Sequence, residues 1–364
     1  FEELVDPRVE RTRLHSLVDI ICLSICAVIA GAEGWEDIEE FGRQKEAWLR
    51  QHLRLENGIP SHDTISRVFR LLKPQAFEAA FRAWVQLLAD RLGLSQVAID
   101  GKTLRRSHDR SSMKSTLHLV CAWSVENHLV LGQQAVDDKS NEITAIPELL
   151  RLLELKGAIV TIDAMGCQTE IAEQITTGDG DYVLAVKDNQ PTLHAALQKC
   201  FEQHHESSRN GRGQHAKTNE QGHGRRDERH YYHLPIPEDL SWIKDAWRGA
   251  RSLGQAISYS TRDGQTTSEV RYYLSSLAPN AKRLANAVRN HWGIENSLHW
   301  VLDMSFDEDQ CRIRKDHGPA NFALLRRIAI NLIKQDTSRG SIRKKRKRAA
   351  WNDDALLTIL TAAG

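Results

Sequence analysis

Val97-Ala-Ile-Asp100-Gly-Lys102 is a short apolar run that ends on a carboxylate. Such a run, bounded by polar residues and glycine, reads as a buried strand. The pattern returns at Ile159-Val-Thr-Ile-Asp163-Ala164, again with an aspartate at the C-terminal end. Between the two, residues 117–125 and 129–136 read as strands joined by a tight turn at Glu126-Asn-His128. Lys139-Ser-Asn141-Glu142 opens a helix that runs to Leu155 and stops at Gly157. A helix over 168–176 and a strand over 182–186 follow.

The resulting order, β-β-β-α-β-α-β, makes a mixed sheet with helices on its faces. It is the element order of a ribonuclease H-like core, in which the first and fourth strands are neighbours. Asp100 and Asp163 are therefore expected side by side. A third carboxylate comes late, in Arg289-Asn-His-Trp-Gly-Ile-Glu295-Asn-Ser-Leu-His299-Trp-Val-Leu-Asp303. Val288, Trp292, Leu298 and Leu302 form an apolar stripe there, with Glu295 beside it on a helix over 280–301. The gap from Asp163 to Glu295 is 295 − 163 = 132 residues, more than a strand and a helix need. Residues 190–279 are thus read as a β-rich insertion. Within it, 206–229 is a long exposed loop, 230–234, 252–261 and 269–276 are strands, and Arg262-Asp-Gly-Gln265 is a hairpin turn. The five expected regions are a helical N-terminal domain at 1–94, the first part of the core at 95–189, the insertion at 190–279, its helical completion at 280–336 and a basic tail at 337–364.

Three converging carboxylates offer the hard oxygen ligands that divalent cations take. They can bridge two ions roughly 3.5–4 Å apart, the arrangement used for in-line displacement at a phosphodiester. Cationic and polar residues flank each carboxylate: Lys102, Arg105 and Arg106; Lys187, Asn189 and Gln190; and Arg312 and Arg314, with Lys315 beside them. These stand where a nucleic-acid backbone would pass. His291 and His299 are further candidates for phosphate contact, although His299 also reads as a packing residue. Asp303 is a structural helix residue or an outer ligand. Glu142 reads as a favourable charge at a helix N-terminus or as an additional carboxylate of the site. Trp242 and Trp247 in the insertion read as packing residues or as stacking partners for an unpaired base.

With 364 residues, 41% of them hydrophobic, the chain can bury a large core, and a net charge of +1 does not by itself announce a nucleic-acid binder. Charge is unevenly placed, with Arg343-Lys-Lys-Arg-Lys-Arg348 in the tail and Asp307-Glu-Asp309 elsewhere. The tail reads as a DNA contact or as a solvated terminus. Six scattered cysteines without a C-x-x-C pair favour a reduced compartment, and the histidine spacings match no zinc pattern. The apolar run 14–32 is broken by His15, Ser16, Asp19 and Ser24, too polar for a membrane span. Because the chain opens on Phe1 rather than Met, further N-terminal residues are expected. Residues 1–94 read as helices throughout. Ser61 or Asp63 caps a helix through Leu72, and the unit Ser61-His-Asp-Thr-Ile-Ser-Arg67-Val-Phe-Arg70 reads as the second helix of a helix-turn-helix or as an ordinary amphipathic bundle helix.

The chain resembles bacterial insertion-sequence transposases of the DDE type, the H-repeat-associated group. The residues that carry the resemblance are Arg11-Thr-Arg-Leu-His15, Gly31-Ala-Glu-Gly-Trp-Glu-Asp-Ile38, Glu56-Asn-Gly-Ile-Pro-Ser-His-Asp-Thr64, Ala98-Ile-Asp-Gly-Lys-Thr103, Lys139-Ser-Asn-Glu-Ile-Thr-Ala-Ile-Pro147, Val160-Thr-Ile-Asp-Ala-Met-Gly-Cys-Gln168 and His291-Trp-Gly-Ile-Glu-Asn-Ser-Leu-His-Trp300. The resemblance implies an α/β fold with a ribonuclease H-like catalytic core. It implies Asp100, Asp163 and Glu295 as a catalytic triad that binds two Mg²⁺, with Mn²⁺ as a substitute. It also implies double-stranded DNA as partner, both terminal inverted repeats and target, handled by a homodimer or larger assembly on the bacterial nucleoid in the cytoplasm. Two departures stand out. Many relatives carry a Tyr-x2-Arg-x3-Glu-x6-Lys signature, and here those positions are Val288, His291, Glu295 and Leu302, with His291, His299 or Arg289 as replacements. Asp188 stands where glycine is expected. Three functions compete: an active transposase, an inactive or repurposed DNA-end-binding relative, and a nuclease without strand transfer.

Overall fold

A computed structural model describes the chain apart from residues 109–114, 137–140, 208–213, 223 and 363–364. The expected helix opening at Lys139-Ser140 lies outside the described residues. Among the described residues, nine strands form one sheet in the order β3-β2-β1-β4-β5-β9-β8-β7-β6. They are β1 Gln96–Thr103, β2 His118–Ser124, β3 Leu129–Val136, β4 Ile159–Ile162, β5 Asp181–Val186, β6 Gln214–Gly222, β7 Arg225–Pro235, β8 Ser252–Arg262 and β9 Gln265–Ser275. β1 lies at the centre of the first five, antiparallel to β2 and parallel to β4, which is parallel to β5. These strands are covered on both faces, so they read as continuous apolar runs rather than as alternation. The helices Glu142–Leu150 and Thr169–Thr177 return the chain between parallel strands, while Pro74–Leu92 and Gly318–Gln335 pack on β3.

The insertion extends this sheet instead of forming a separate lobe. β9 pairs antiparallel with the open edge of β5, and β8, β7 and β6 follow in turn. Asp263 and Gly264 both take the left-handed backbone of a two-residue hairpin turn. Residues 214–222 and 225–229, read as exposed loop from their polarity, are strands. Their sequence is polar because the outer half of the ribbon is exposed, and pairing of β6 with β7 and of β7 with β8, rather than burial, fixes their conformation.

The N-terminal helices share one apolar core with residues as far along as Ile359, and a second cluster, with Tyr231, Tyr273 and Leu284, packs the ribbon against the helix Ala281–His291. Asn321 donates to the carbonyls of Phe69 and Leu72 at 2.6 and 2.8 Å, tying the helix His62–Leu71 to Gly318–Gln335. Ser61 caps that first helix, accepting from Thr64 N; Asp63 and Arg67 face solvent, and Arg70 pairs with Asp316 at 2.7 Å. Residues beyond 337 are not a loose tail. They form helices Ile342–Trp351 and Asp353–Thr361 against Leu17–Ala30. Arg346 is buried, donates to Val28 O at 2.9 Å and stacks 4.1 Å over Phe306, while Lys345 is held by Asp336. Among the described residues no single helix is long and apolar enough to cross a membrane.

Candidate active site

Parallel pairing of β1 with β4 runs to Ile99 opposite Ile162. Asp100 and Asp163 therefore stand at the same level, Asp100 within β1 and Asp163 just past the end of β4. β1 does not end at Ile99 as its apolar run suggests; it continues against β2, with Asp100 opposite Cys121, so Asp100 stands on paired backbone. Asp163 opens the turn Ala164–Gly166, its Oδ1 accepting from Met165 N at 3.1 Å. Glu295 begins a π-helical segment, Glu295–His299, set between helices Ala281–His291 and Trp300–Phe306 where one α-helix was expected. Such segments widen the turn by a residue. Here Leu298 and His299 are buried and Glu295 stays accessible.

The three carboxylates feel one another. Burial, then the fields of Asp100 and Glu142, raise Asp163 above the usual carboxylate range. Partial desolvation, then Asp100, raises Glu295. His299 Nδ1 lies 3.4 Å from Asp100 Oδ2. Burial alone would depress this imidazole, but hydrogen bonds to Asp100 and Cys121 hold it at about 9, so it is cationic at neutral pH. It stands behind Asp100 rather than on the surface.

Glu142 belongs to this cluster too. Its Oε1 is 2.6 Å from His118 Nε2, and His118 Nδ1 is 2.7 Å from Thr103 Oγ1. A Cβ on Gly101 would come within 2.1 Å of Glu142 Oε1, so glycine after Asp100 is what lets Glu142 approach. The helix-start position of Glu142 is as expected, yet the fold also turns it toward Asp163.

The flanking cations divide. Lys102 is buried, its Nζ 2.6 Å from Asp303 Oδ1 and 3.7 Å from Asp309, which clamps β1 to the helix after Glu295. Arg105 is exposed and 3.3 Å from Asp309. Arg106 is exposed and its carbonyl accepts from Arg314 Nε at 3.0 Å. Arg312 is exposed. Asn189 donates to Ala164 O at 2.6 Å and Gln190 to Cys167 O at 2.9 Å, so both brace the turn after Asp163. Lys187 is exposed at the rim of a groove of about 320 Å³ that also holds Asp163, Arg271, His291, Trp292 and Glu295. His291 is 3.0 Å from Thr161 Oγ1, and desolvation keeps it below the usual imidazole range, hence neutral. Asp188 is fully exposed and pairs with His194 at 3.0 Å. Arg271 was not anticipated. It stacks 4.5 Å over Trp292, and its charge, with that of His299, partly offsets the rise at Glu295. Its approach depends on β9 joining β5, which no local pattern around it signals.

The donors are all carboxylate oxygens, matched to hard divalent cations, and acids that raise one another are relieved by a cation between them. Among the described residues no three of His, Cys, Asp and Glu stand close enough to hold an ion as they are. The fit lies in donor type and coupling, not in a finished cage.

Comparison with known proteins places the chain in a family. The model described as DDE_Tnp_1-associated matches residues 1–85, and Transposase DDE domain matches 91–332. The H repeat-associated putative transposase YhhI of Escherichia coli K12 is 41% identical over 355 residues, 96% of this chain and 93% of that protein. The putative transposase YncI of E. coli O157:H7 is 42% identical over 352 residues, 96% and 90% of the two chains. A piggyBac transposase synaptic complex with hairpin DNA aligns over 97% of this chain and 76% of its own, at 11% identity and a TM-score of 0.40. The stretch matched from 91 to 332 takes in Asp100, Asp163 and Glu295 alike, and the chain belongs to the transposase DDE domain family.

Proposed function

We propose that the protein is a DNA transposase that cuts phosphodiesters at transposon ends and joins the freed 3′-hydroxyl to target DNA, with Asp100, Asp163 and Glu295 as ligands for two Mg²⁺ and Glu142 as an auxiliary carboxylate. One observation carries the reading: Asp100 and Asp163 stand at one level on adjacent parallel strands of a mixed sheet and are coupled electrostatically to Glu295. Bound divalent cations would activate the attacking oxygen and stabilise the leaving one. The chain's own residues set the stage. His299 and the β2 pairing hold Asp100 in place. The Lys102–Asp303 pair keeps the Glu295 helix against β1. Arg271 and Lys187 supply positive charge at the groove for the phosphate backbone. Two DNA ends must be handled together, which calls for a dimer or larger assembly.

The reading of a chain that binds ends without cutting is favoured by Val288, His291 and Leu302 at the signature positions, and a relative over 55 residues, at 62% identity and 15% of this chain, is named inactive transposase YbfQ of E. coli K12. The test is incubation with labelled duplexes from the DNA flanking its own gene, with and without Mg²⁺, beside Glu295→Gln. Magnesium-dependent cuts at a defined end, lost in the variant, support the transposase. Joined products exclude a simple nuclease, and binding without cuts leaves the end-binding reading.

A further inference from the structure

The groove at Glu295 continues along the inner face of the ribbon. A second groove of about 470 Å³ shares Arg271, Tyr273, Val288 and Trp292 with the first and runs out to Arg289, Arg229 and Arg225. At its middle one carboxylate bridges two guanidinium groups. Glu220 Oε1 accepts from Arg289 Nη2 at 2.5 Å, and Oε2 accepts from Arg229 Nη1 at 3.1 Å. Glu220 comes from the edge strand β6, Arg229 from β7 and Arg289 from the helix that leads into Glu295. Arg229 is also held by Asp227 at 2.8 Å, Arg225 by Asp227 at 2.6 Å and Arg271 by Glu269. Four arginines thus face three acids.

A carboxylate with an oxygen on each of two guanidinium groups presents the pattern of a phosphodiester's two free oxygens. The accessibilities are unequal: the Arg229 side chain is 13% exposed and Glu220 45%. The arginine is seated and the acid sits toward solvent. Ser258, Ser260 and Tyr231 line the same groove with hydroxyls. Arg289 precedes Glu295 by six positions, ~9 Å of helical rise, or roughly two to three nucleotides of a strand at 3.4 Å each.

We infer that Arg229 and Arg289 form a binding site for a backbone phosphate of the DNA strand entering the catalytic groove, and that Glu220 occupies this site as an internal stand-in which DNA displaces. The inference rests on the DNA-acting reading above. Displacing Glu220 sets a threshold against weakly held DNA.

The test is fluorescence anisotropy with a short labelled duplex of arbitrary sequence, titrated in salt, using the full chain, Glu220→Gln, Arg289→Ala and the double variant. Glu220→Gln is expected to tighten binding roughly twofold to fivefold. Arg289→Ala weakens it and lowers the salt slope by about one. In the Arg289→Ala background the gain from Glu220→Gln shrinks or vanishes. A gain from Glu220→Gln that persists in full in the Arg289→Ala background is the general effect of removing a negative charge near DNA and overturns the inference. Wild-type binding that Glu220→Gln leaves unchanged or weakens makes the bridge a structural pin and overturns the inference alone. No salt-dependent binding by the wild type overturns the DNA-acting reading and this site with it.

Discussion

The centre of the sheet and its outer ribbon handle charge in opposite ways. At the centre, Asp100, Asp163, Glu142 and Glu295 gather in one region, and burial, followed by the fields of neighbouring acids, raises Asp163 and Glu295. In the ribbon, Glu220, Asp227, Glu228 and Glu269 each meet a cation within 3.1 Å. Compensated acids on an exposed ribbon are a way to keep polar strands soluble and in register. Acids crowded together in a half-buried cleft are costly unless a cation joins them. The difference separates a place built to hold something from one built to hold itself, with Glu220 as the point where the second kind borders the first.

The largest expected effect tests the centre. Asp100→Asn, Asp163→Asn and Glu295→Gln should each lower cutting by roughly a thousandfold or more while leaving duplex binding near wild type, measured by gel cleavage and anisotropy. A variant that cuts at wild-type rate removes that residue from the site.

Next comes the support behind the centre. Glu308 and Arg327 are fully buried and paired at 2.5 Å, with Arg326 at 4.0 Å, and Arg327 reaches Cys121, the residue opposite Asp100. Glu308→Ala strands two buried guanidinium groups and should cost ~3–5 kcal/mol in urea unfolding. A loss below ~1 kcal/mol would mean that the pair contributes little.

Glu78 sharpens the contrast by pH. It is buried against β3, accepts from Gln133 N at 2.9 Å, and burial pushes it up to about 7. The folded state then keeps a proton that the unfolded chain releases near 4.5. Its contribution is complete below that value and is lost as pH rises toward 7. Glu78→Gln should flatten this fall in a series of melts between those values; an unchanged pH profile would mean that Glu78 ionises normally.

The smallest effect belongs to the ribbon. Asp227→Asn weakens a half-exposed pair with Arg225 and a mostly covered pair with Arg229, the Asp227 and Arg229 side chains being 14% and 13% exposed, and should change stability by about 1 kcal/mol, less at high salt. A larger loss would make the ribbon's ion pairs structural, and the contrast with the centre would fail.

Much of this was legible in the residues. The apolar runs before Asp100 and Asp163, the Asp263-Gly264 turn, the Ser61 cap and the order of elements up to Val186 follow from local stereochemistry and hydrophobic pattern, which neighbours in sequence decide. Polarity misled at 214–229, because an exposed paired strand and a loop have the same composition. It misled again beyond 337, where Lys345 and Arg346 are buried among carbonyls and Phe306.

What the sequence by itself determined was therefore the backbone course and the presence of three acids at strand and helix positions. Only the tertiary structure decided their company. Lys102 meets Asp303 across 201 positions, and Arg289 meets Glu220 across 69. Glu142 turns inward because residue 101 has no side chain, and Arg271 arrives because β9 joins β5. Such pairings depend on strand register and helix phase between distant segments, and a π turn at Glu295, or the irregularity that skips Leu131 of β3 in its pairing with β2, changes that phase without leaving a mark in the local pattern.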